Sequence, residues 1–123
     1  AGSLALLAGD PDAGHVIDAF CGIYGRYGRL TADRVRAGVV RARAEGHAFN
    51  DSQVIEGVGA IGVPVHDPRA GAQALPVAAI SVAAISSRLR PERRAEICDV
   101  IRAALAELNL SDRRTPVAAD PSL

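Results

Sequence analysis

The sequence predicts an α+β domain in which helices pack against an antiparallel sheet. Two segments of alternating small and bulky apolar residues lie between segments whose apolar residues recur at helical spacing. Only a short loop separates the two alternating segments, which favours an antiparallel pair over a parallel one. A chain of 123 residues is long enough for one hydrophobic core and short for two, so we expect a single domain.

Three helices are predicted before the strands. Residues 1–8 are mostly apolar and predict a short buried helix. Asp10 and Pro11 are typical of the start of a second helix, because aspartate caps a helix and proline suits its first position. Thr31 is expected to cap a third helix that ends at Gly46. The predicted apolar face of the second helix carries Val16, Ile17, Phe20, Cys21 and Tyr24.

The strands are expected at about residues 58–65 and 77–84, after a short extended piece near residue 48. Pro91 then opens a last helix. Residues 1–110 form the predicted domain, and residues 111–123 are predicted to be a disordered tail because they contain turn formers without periodicity. The predicted apolar stripe of the last helix carries Ile97, Val100, Ile101, Ala104, Leu105 and Leu108.

Alternation within the two strands separates a bulky face from a face of small residues. Ile61 and Val63 belong to the bulky face, whereas Gly62 and Ser81 belong to the small one. Two interpretations of the small face are open: a shallow hollow that holds a ligand, or a seat for a closely packed helix. The pattern alone favours the helix, because core packing is the commoner use of small strand residues.

Charge and composition exclude several function classes. Fourteen basic residues are matched by fourteen acidic ones, so no net field attracts a polyanion and nucleic-acid binding by this segment alone is not expected. No run approaches the roughly 18 apolar residues of a membrane span, and no signal leader is recognisable, so we expect a soluble, cytoplasmic protein. Cys21 and Cys98 fall on predicted apolar stripes and are expected to be reduced and buried.

Motifs that could carry chemistry lack the context they require. Residues 57–62 satisfy G-x-G-x-x-G, but they continue into a strand instead of opening a helix, so nucleotide binding is not expected. Ser81 lacks the glycine-flanked turn of a hydrolase nucleophile, and the three histidines lack metal-ligand spacing. Four arginines within residues 88–94 are interleaved with glutamates, which favours a solvated helix end over a phosphate site. We therefore predict no catalytic residue, no metal site and no cofactor.

Three stretches of the sequence together resemble the effector-binding domain of IclR-type bacterial transcription regulators. Residues 46–67 read GHAFNDSQVIEGVGAIGVPVHD. In that family a glycine and an aromatic residue lead to acidic residues, then Gly-Val, a small residue or cysteine, Ala-x-Pro-Val and an aspartate. Residues 78–82, AAISV, and the long last helix continue the likeness, and residues 1–8, AGSLALLA, are similar to a family helix. The resemblance covers residues 1–110.

Three positions depart from the family pattern. Asn50 stands where the family usually has aspartate, Gln53 where it has glutamate, and residues 84–85 where it commonly has Gly-Pro. The first two departures remove negative charge beside the implied pocket, so the usual ligand cannot simply be carried over. The family's winged helix-turn-helix and the first strands of its effector domain do not occur in these 123 residues. We interpret the chain as a fragment of a longer regulator or as a stand-alone sensor.

The resemblance implies a GAF-like antiparallel sheet whose small-residue face binds a small organic effector, often a carboxylate or an aromatic acid. It also implies a homodimer or tetramer, with DNA contacted only through the winged helix-turn-helix. Alanines at 60 and 83 stand where some relatives have cysteine and serine, so we expect a less polar ligand than a two-carbon oxoacid. The alternatives are a ligand-free oligomerisation or interaction module and a small hydrolase. The implied ligand-contacting residues are Ala1, Gly2, Asn50, Val58, Ala60, Ser81 and Ala83.

Overall fold

An antiparallel sheet of three strands forms the centre of the fold in the computed structural model, which describes residues 1–71 and 73–112. The strands are β1 (Ala48–Asp51), β2 (Val58–Val65) and β3 (Ala78–Ile85), in the order β1-β2-β3. Val77 N–H donates to the Val65 carbonyl at 2.8 Å and closes the hairpin between β2 and β3. The predicted α+β class and the antiparallel pair are confirmed, and the strand boundaries differ from the prediction by one residue at β3.

Five α-helices surround the sheet in the part of the chain that the structure describes. Two short 3-10 turns, Pro68–Ala70 and Ser86–Arg88, lie within the connections. The helices are α1 (Gly2–Ala8), α2 (Ala13–Ala19), α3 (Cys21–Tyr24), α4 (Ala32–Glu45) and α5 (Pro91–Glu107).

The third predicted helix, α4, begins and ends where its caps place it. The Thr31 hydroxyl accepts a hydrogen bond from the Arg34 backbone N–H at 3.2 Å. At the other end Gly46 adopts a left-handed conformation with φ of 71°, and its N–H donates to the Ala42 carbonyl at 2.9 Å. Local chemistry therefore determines both ends of this helix.

The bulky face of the sheet packs against α5. Ile61 and Val63 are completely buried there, in a cluster with Cys98, Ile101 and Leu105 of the helix. The predicted stripe of α5 is wider than the face that it buries, because Val100 and Leu108 remain 69% and 68% exposed.

The small-residue face of the sheet receives α1. Gly62 and Ser81 are register partners, and the start of α1 lies on them. A Cβ on Gly62 would lie 2.6 Å from the Ala1 carbonyl oxygen, and a Cβ on Gly2 would lie 2.8 Å from Ser81 Oγ. The alternation of small and bulky residues left two interpretations open, a ligand-binding hollow and a seat for a closely packed helix. At the middle of this face, the structure shows the helix seat.

A second layer covers α1 on the side away from the sheet. Leu4 of α1 lies against Gly38 of α4, where a Cβ would meet the Leu4 methyl carbon at 3.1 Å. Leu4 and Ala5 join Ile17, Val35 and Val39 in a buried cluster. The sheet thus separates two apolar clusters, one beside α5 and one around α1, α2 and α4.

The predicted second helix is divided into two short helices at Phe20. The predicted start of this helix at Asp10 and Pro11 is wrong, since α2 begins at Ala13. The Asp10 carboxylate instead accepts the Asp12 N–H at 2.8 Å in the turn before the helix. At Phe20 the backbone N–H bonds to both the Val16 and Ile17 carbonyls, and the chain leaves the helical path. This break rotates Cys21 out of the core, so the prediction of a buried Cys21 is wrong, while Cys98 is buried.

The end of the predicted domain is ordered slightly further than expected. Ser111 pairs with His66 in an isolated antiparallel bridge, with N–H···O distances of 2.8 and 3.2 Å. The Arg102 guanidinium donates a hydrogen bond to the Asp112 carboxylate. The first two residues of the predicted tail therefore belong to the fold, and residues 113–123 lie outside the described residues.

Candidate functional site

A cleft of about 630 Å³ opens beside the small-residue face of the sheet. It lies between α1, the α2–α3 segment, the start of α4 and the residues that follow β1. Its volume falls within the range of roughly 300–1,000 Å³ that is typical of small-molecule sites.

Apolar side chains form most of the cleft wall. The closed side includes Leu4, Leu7 and Val35, which belong to the cluster around α1 or pack against it. The mouth is lined by Leu6, Phe20, Ile23, Tyr27 and Val54, which are all at least 40% exposed. A concentration of exposed apolar residues around one opening is typical of a surface that binds a ligand or partner.

Three of the four phenylalanine and tyrosine residues of the chain border this cleft, namely Phe20, Tyr24 and Tyr27. Aromatic side chains offer large apolar surfaces with few rotatable bonds. Burial raises the pKa of the Tyr24 phenol, so its hydroxyl stays protonated and available as a donor at neutral pH.

A glycine turn holds one wall of the cleft in place. Gly28 has φ of 58°, and a Cβ there would lie 2.9 Å from the Val54 carbonyl oxygen. The next residue, Arg29, donates its N–H to the Gln53 carbonyl at 3.0 Å. The segment after α3 and the segment after β1 are thereby joined, which places Tyr27 and Val54 on the same rim.

Ser3, Asn50 and Gln53 contribute polar side chains to the cleft wall. Asn50 Oδ1 accepts a hydrogen bond from the Gln53 N–H at 3.3 Å, which fixes the orientation of the amide. Within the described residues, no hydrogen-bond partner is found for Asn50 Nδ2. Asn50 therefore contributes a neutral donor to the cleft wall.

Two of the seven sequence-predicted site residues, Ala1 and Asn50, line the cleft. The other five lie beside it on α1 or on the same face of the sheet. Asn50, Ala60 and Ala83 form one row across the three strands, because Asn50 pairs with Ala60 and Ala60 with Ala83. The neighbouring row contains Ser81, above which Gly2 lies. Val58 continues the same face toward the start of β2.

The aromatic rim of the cleft was not predicted from the sequence. Helical spacing places Phe20 and Tyr24 on the buried face of one continuous helix, whereas the break at Phe20 leaves the Phe20 side chain 51% exposed. A usable signal was the concentration of aromatic residues within residues 20–27 of a chain that is only 3% aromatic.

The described residues do not converge on a recognisable catalytic arrangement. The closest cluster is at the end of β1, where Asp51 Oδ1 accepts hydrogen bonds from Ser86 Oγ at 2.6 Å and from Ser52 Oγ at 3.0 Å. These hydroxyls lower the pKa of Asp51, so the carboxylate is ionised and is already engaged as an acceptor. No base or oxyanion-binding group completes this cluster among residues 1–71 and 73–112, and no group of three or more potential metal ligands occurs there.

The family model described as bacterial transcriptional regulator IclR, C-terminal, matches residues 27–109. No curated protein matches the sequence at a significant level. Within residues 1–71 and 73–112, every helix is too short or too polar to span a lipid bilayer.

Solved structures support the same fold. A protein described as an IclR transcriptional regulator from Silicibacter sp. TM1040 has 25% identity and a TM-score of 0.64, with 100% of this chain and 47% of that chain covered. Thermotoga maritima IclR has 20% identity and a TM-score of 0.69, with 86% and 42% covered. The C-terminal domain of the Escherichia coli regulator KdgR has 22% identity and a TM-score of 0.67, with 89% and 66% covered.

The chain spans about half the length of the first two solved relatives. Its three-stranded sheet with flanking helices represents part of the domain that the resemblance predicted. The family match covers more than half of the sequence, from the loop before α4 to the end of α5. The chain therefore belongs to the C-terminal domain family of the IclR bacterial transcriptional regulators.

Proposed function

We propose that this chain is the ligand-sensing part of a transcription regulator and that it binds a small organic effector in the cleft beside α1. The observation that carries the proposal is the open cleft of about 630 Å³, which combines an exposed apolar rim with a few polar side chains. Ala1 and Asn50, which the family resemblance implies as contacts, lie on its wall.

The small-residue face extends this site toward the sheet. In the proposed complex, Ala60 and Ala83 limit the depth of the site next to Asn50, and Val58 contributes apolar surface. The Ser81 hydroxyl, at the exposed edge strand, donates a hydrogen bond to a ligand that reaches past Gly2. The resemblance suggests a carboxylate or an aromatic acid, and the rim of Phe20, Ile23 and Tyr27 favours an aromatic or branched aliphatic body.

Regulation follows from differential affinity. A winged helix-turn-helix outside these 123 residues would contact DNA, and the ligand would favour one arrangement of the assembled regulator over another. Self-association as a dimer or tetramer is part of this proposal by family resemblance. We do not assign catalysis, because the described residues contain no convergent acid, base and nucleophile.

A thermal-shift screen of organic acids, esters and amides tests the proposal. A compound that binds only the folded state stabilises it by about 2.7 kcal/mol when its concentration is 100 times Kd, which raises the melting temperature measurably. Phe20→Ser should abolish the ligand-induced rise in melting temperature. Leu108 is an exposed apolar residue outside the cleft, so Leu108→Ser should retain this rise. Failure of every compound in the screen to raise the melting temperature would refute the proposal and leave the interaction-module alternative.

A further inference from the structure

One side of β3 is open along the whole strand. The sheet order β1-β2-β3 places β3 at an edge within the part of the chain that the structure describes. Its eight residues, Ala78–Ile85, pair with β2 in one uninterrupted register. An edge strand leaves a row of backbone N–H and C=O groups on its open side, and another strand can bond to them.

The hydrogen-bond pattern identifies which residues of β3 point their backbone groups away from β2. The Ser86 N–H donates to the Gly57 carbonyl at 2.9 Å, and these two residues continue the register of the pair. Hydrogen-bonded and non-hydrogen-bonded positions alternate along an antiparallel pair, so the even-numbered residues of β3 bond to β2. The odd-numbered residues direct their N–H and C=O groups outward, and these are Ala79, Ser81, Ala83 and Ile85.

The edge strand lacks the side chains that normally prevent association. Charged residues and prolines serve this purpose at the edges of natural sheets. Residues 77–87 contain neither, and β3 consists only of alanine, isoleucine, valine and serine. Ile80 and Ile85 are 37% and 57% exposed, and Val77, just before the strand, is 63% exposed. A second strand could therefore add to this edge without burying a charge.

The sequence of β3 is complementary to itself in an antiparallel pair. If a two-fold axis passes at Val82, each of the four outward-facing residues meets an outward-facing residue of the other copy, because positions equally far from Val82 lie opposite each other. The same register sets each isoleucine against an alanine, Ile80 against Ala84 and Ile85 against Ala79. Cross-strand neighbours of complementary size pack well, and the uncharged strand brings no like charges together at the axis.

We infer that β3 is a self-association surface, on which a second copy of this chain adds its own β3 antiparallel about Val82 to form a continuous six-stranded sheet. The inference specifies the contact for the self-association included in the proposed function, and it does not depend on a ligand in the cleft. The eight residues of β3 are fewer than the roughly 20–30 residues per partner of a standard interface, so we expect a weak dimer that dissociates on dilution.

Sedimentation of the 123-residue chain at concentrations from about 1 µM to about 1 mM tests for this dimer. Ala79→Pro removes an outward N–H without removing a bond to β2, and Ile80→Lys places a charge on the edge. Each should weaken dimerisation at least about tenfold. Val40→Lys makes a similar change on an exposed residue of α4 and should leave dimerisation unchanged. Circular dichroism checks folding, and Ile80→Lys decides the test if Ala79→Pro does not fold.

Disulfide trapping tests the register. Non-hydrogen-bonded partners lie about 4.5 Å apart at Cα, which is within the range that a disulfide spans, so Val82→Cys should cross-link to its own copy under mild oxidation. Ile80→Cys lies on the same face, but its two copies would be about 13 Å apart along the strands and should stay unlinked. Both variants are made in a Cys21→Ser background, because Cys21 is exposed.

The outcomes separate this inference from ligand binding in the cleft. A chain that stays monomeric up to about 1 mM overturns the inference and leaves the edge to a strand from elsewhere in a longer regulator. A dimer that neither edge variant weakens overturns the assigned contact, and equal cross-linking of Ile80→Cys and Val82→Cys overturns the register. Each of these results leaves the sensor proposal standing, because the thermal-shift screen tests the cleft independently of β3.

Discussion

Replacing Gly62 of β2 by alanine should destabilise the protein more than replacing Gly2 of α1 or Gly22 of α3. A Cβ at this position would lie 2.6 Å from the Ala1 carbonyl oxygen and 2.7 Å from its carbon, whereas ordinary contact begins at 3.4 Å. The start of α1 would have to retreat by about 0.8 Å, and the obstacle is backbone, which cannot rotate away as a side chain can. Overpacking of this kind costs about 1–3 kcal/mol.

Urea unfolding measures this cost. A loss of about 2 kcal/mol lowers the midpoint by about 1 M for a protein whose m value is about 2 kcal/mol/M. A Cβ on Gly2 would crowd the Ser81 hydroxyl, at 2.8 Å, and would make ordinary contact with the Ala79 Cβ at 3.9 Å. Gly2→Ala should cost less than about 1 kcal/mol because the serine side chain can rotate to another rotamer. Gly22→Ala in α3 meets no atom within 4 Å and should be neutral or stabilising by up to about 1 kcal/mol.

The order of the three variants is the decisive result. If Gly62→Ala unfolds at the same urea concentration as Gly22→Ala, α1 does not lie on β2 as described, and the wall that Ala1 contributes to the cleft is misplaced. If the order holds, Gly62→Ala should also weaken binding of any ligand found for the cleft, because Ala1 moves with the helix.

Helix capping, thiol exposure and carboxylate ionisation can each be tested separately. Thr31→Ala should cost about 1 kcal/mol in urea unfolding because it removes the α4 cap, and Thr31→Ser should restore most of the loss; equal stability of the two variants would contradict the cap. An alkylating reagent should modify exposed Cys21 rapidly in the native protein and spare Cys98, which is 1% exposed and whose thiol pKa is raised by burial; equal rates would contradict the assigned burial. The Ser86 hydroxyl lowers the pKa of Asp51 in the folded state, so this carboxylate contributes stability above its unfolded pKa of about 3.9 that disappears as the pH falls through the folded value. Asp51→Asn should therefore flatten the acid limb of a urea-midpoint profile, and an unchanged limb would refute this contribution.

The caps of α4 and the alternation in β2 were predictable because they depend on residues a few positions apart. Thr31 and Gly46 bound α4 as expected, and the faces of β2 follow from its period of two. The α+β class and the antiparallel pairing were accessible for the same reason.

The sequence could not identify which apolar side chains remain exposed. Helical spacing places Phe20 and Cys21 with Ile17, but the backbone break at Phe20 separates them from the core. The predicted apolar stripe of α5 is likewise wider than the face that the helix buries. The buried width depends on how much of the sheet lies opposite the helix. Periodicity identifies an apolar face that is able to pack. The size of the packing partner determines how much of that face is buried.

The sequence by itself determined α4, the two long strands, the two faces of the sheet and the membership in the regulator family, because each depends on local spacing or on a contiguous motif. Only the tertiary structure decided between the helix seat and the cleft. It placed α1 over Gly62, which fills the centre of the small-residue face, and left the cleft between α1 and the α2–α3 segment. Both outcomes depend on contacts between residues far apart in the chain. The residue pattern within a single helix or strand does not show which distant residues it contacts.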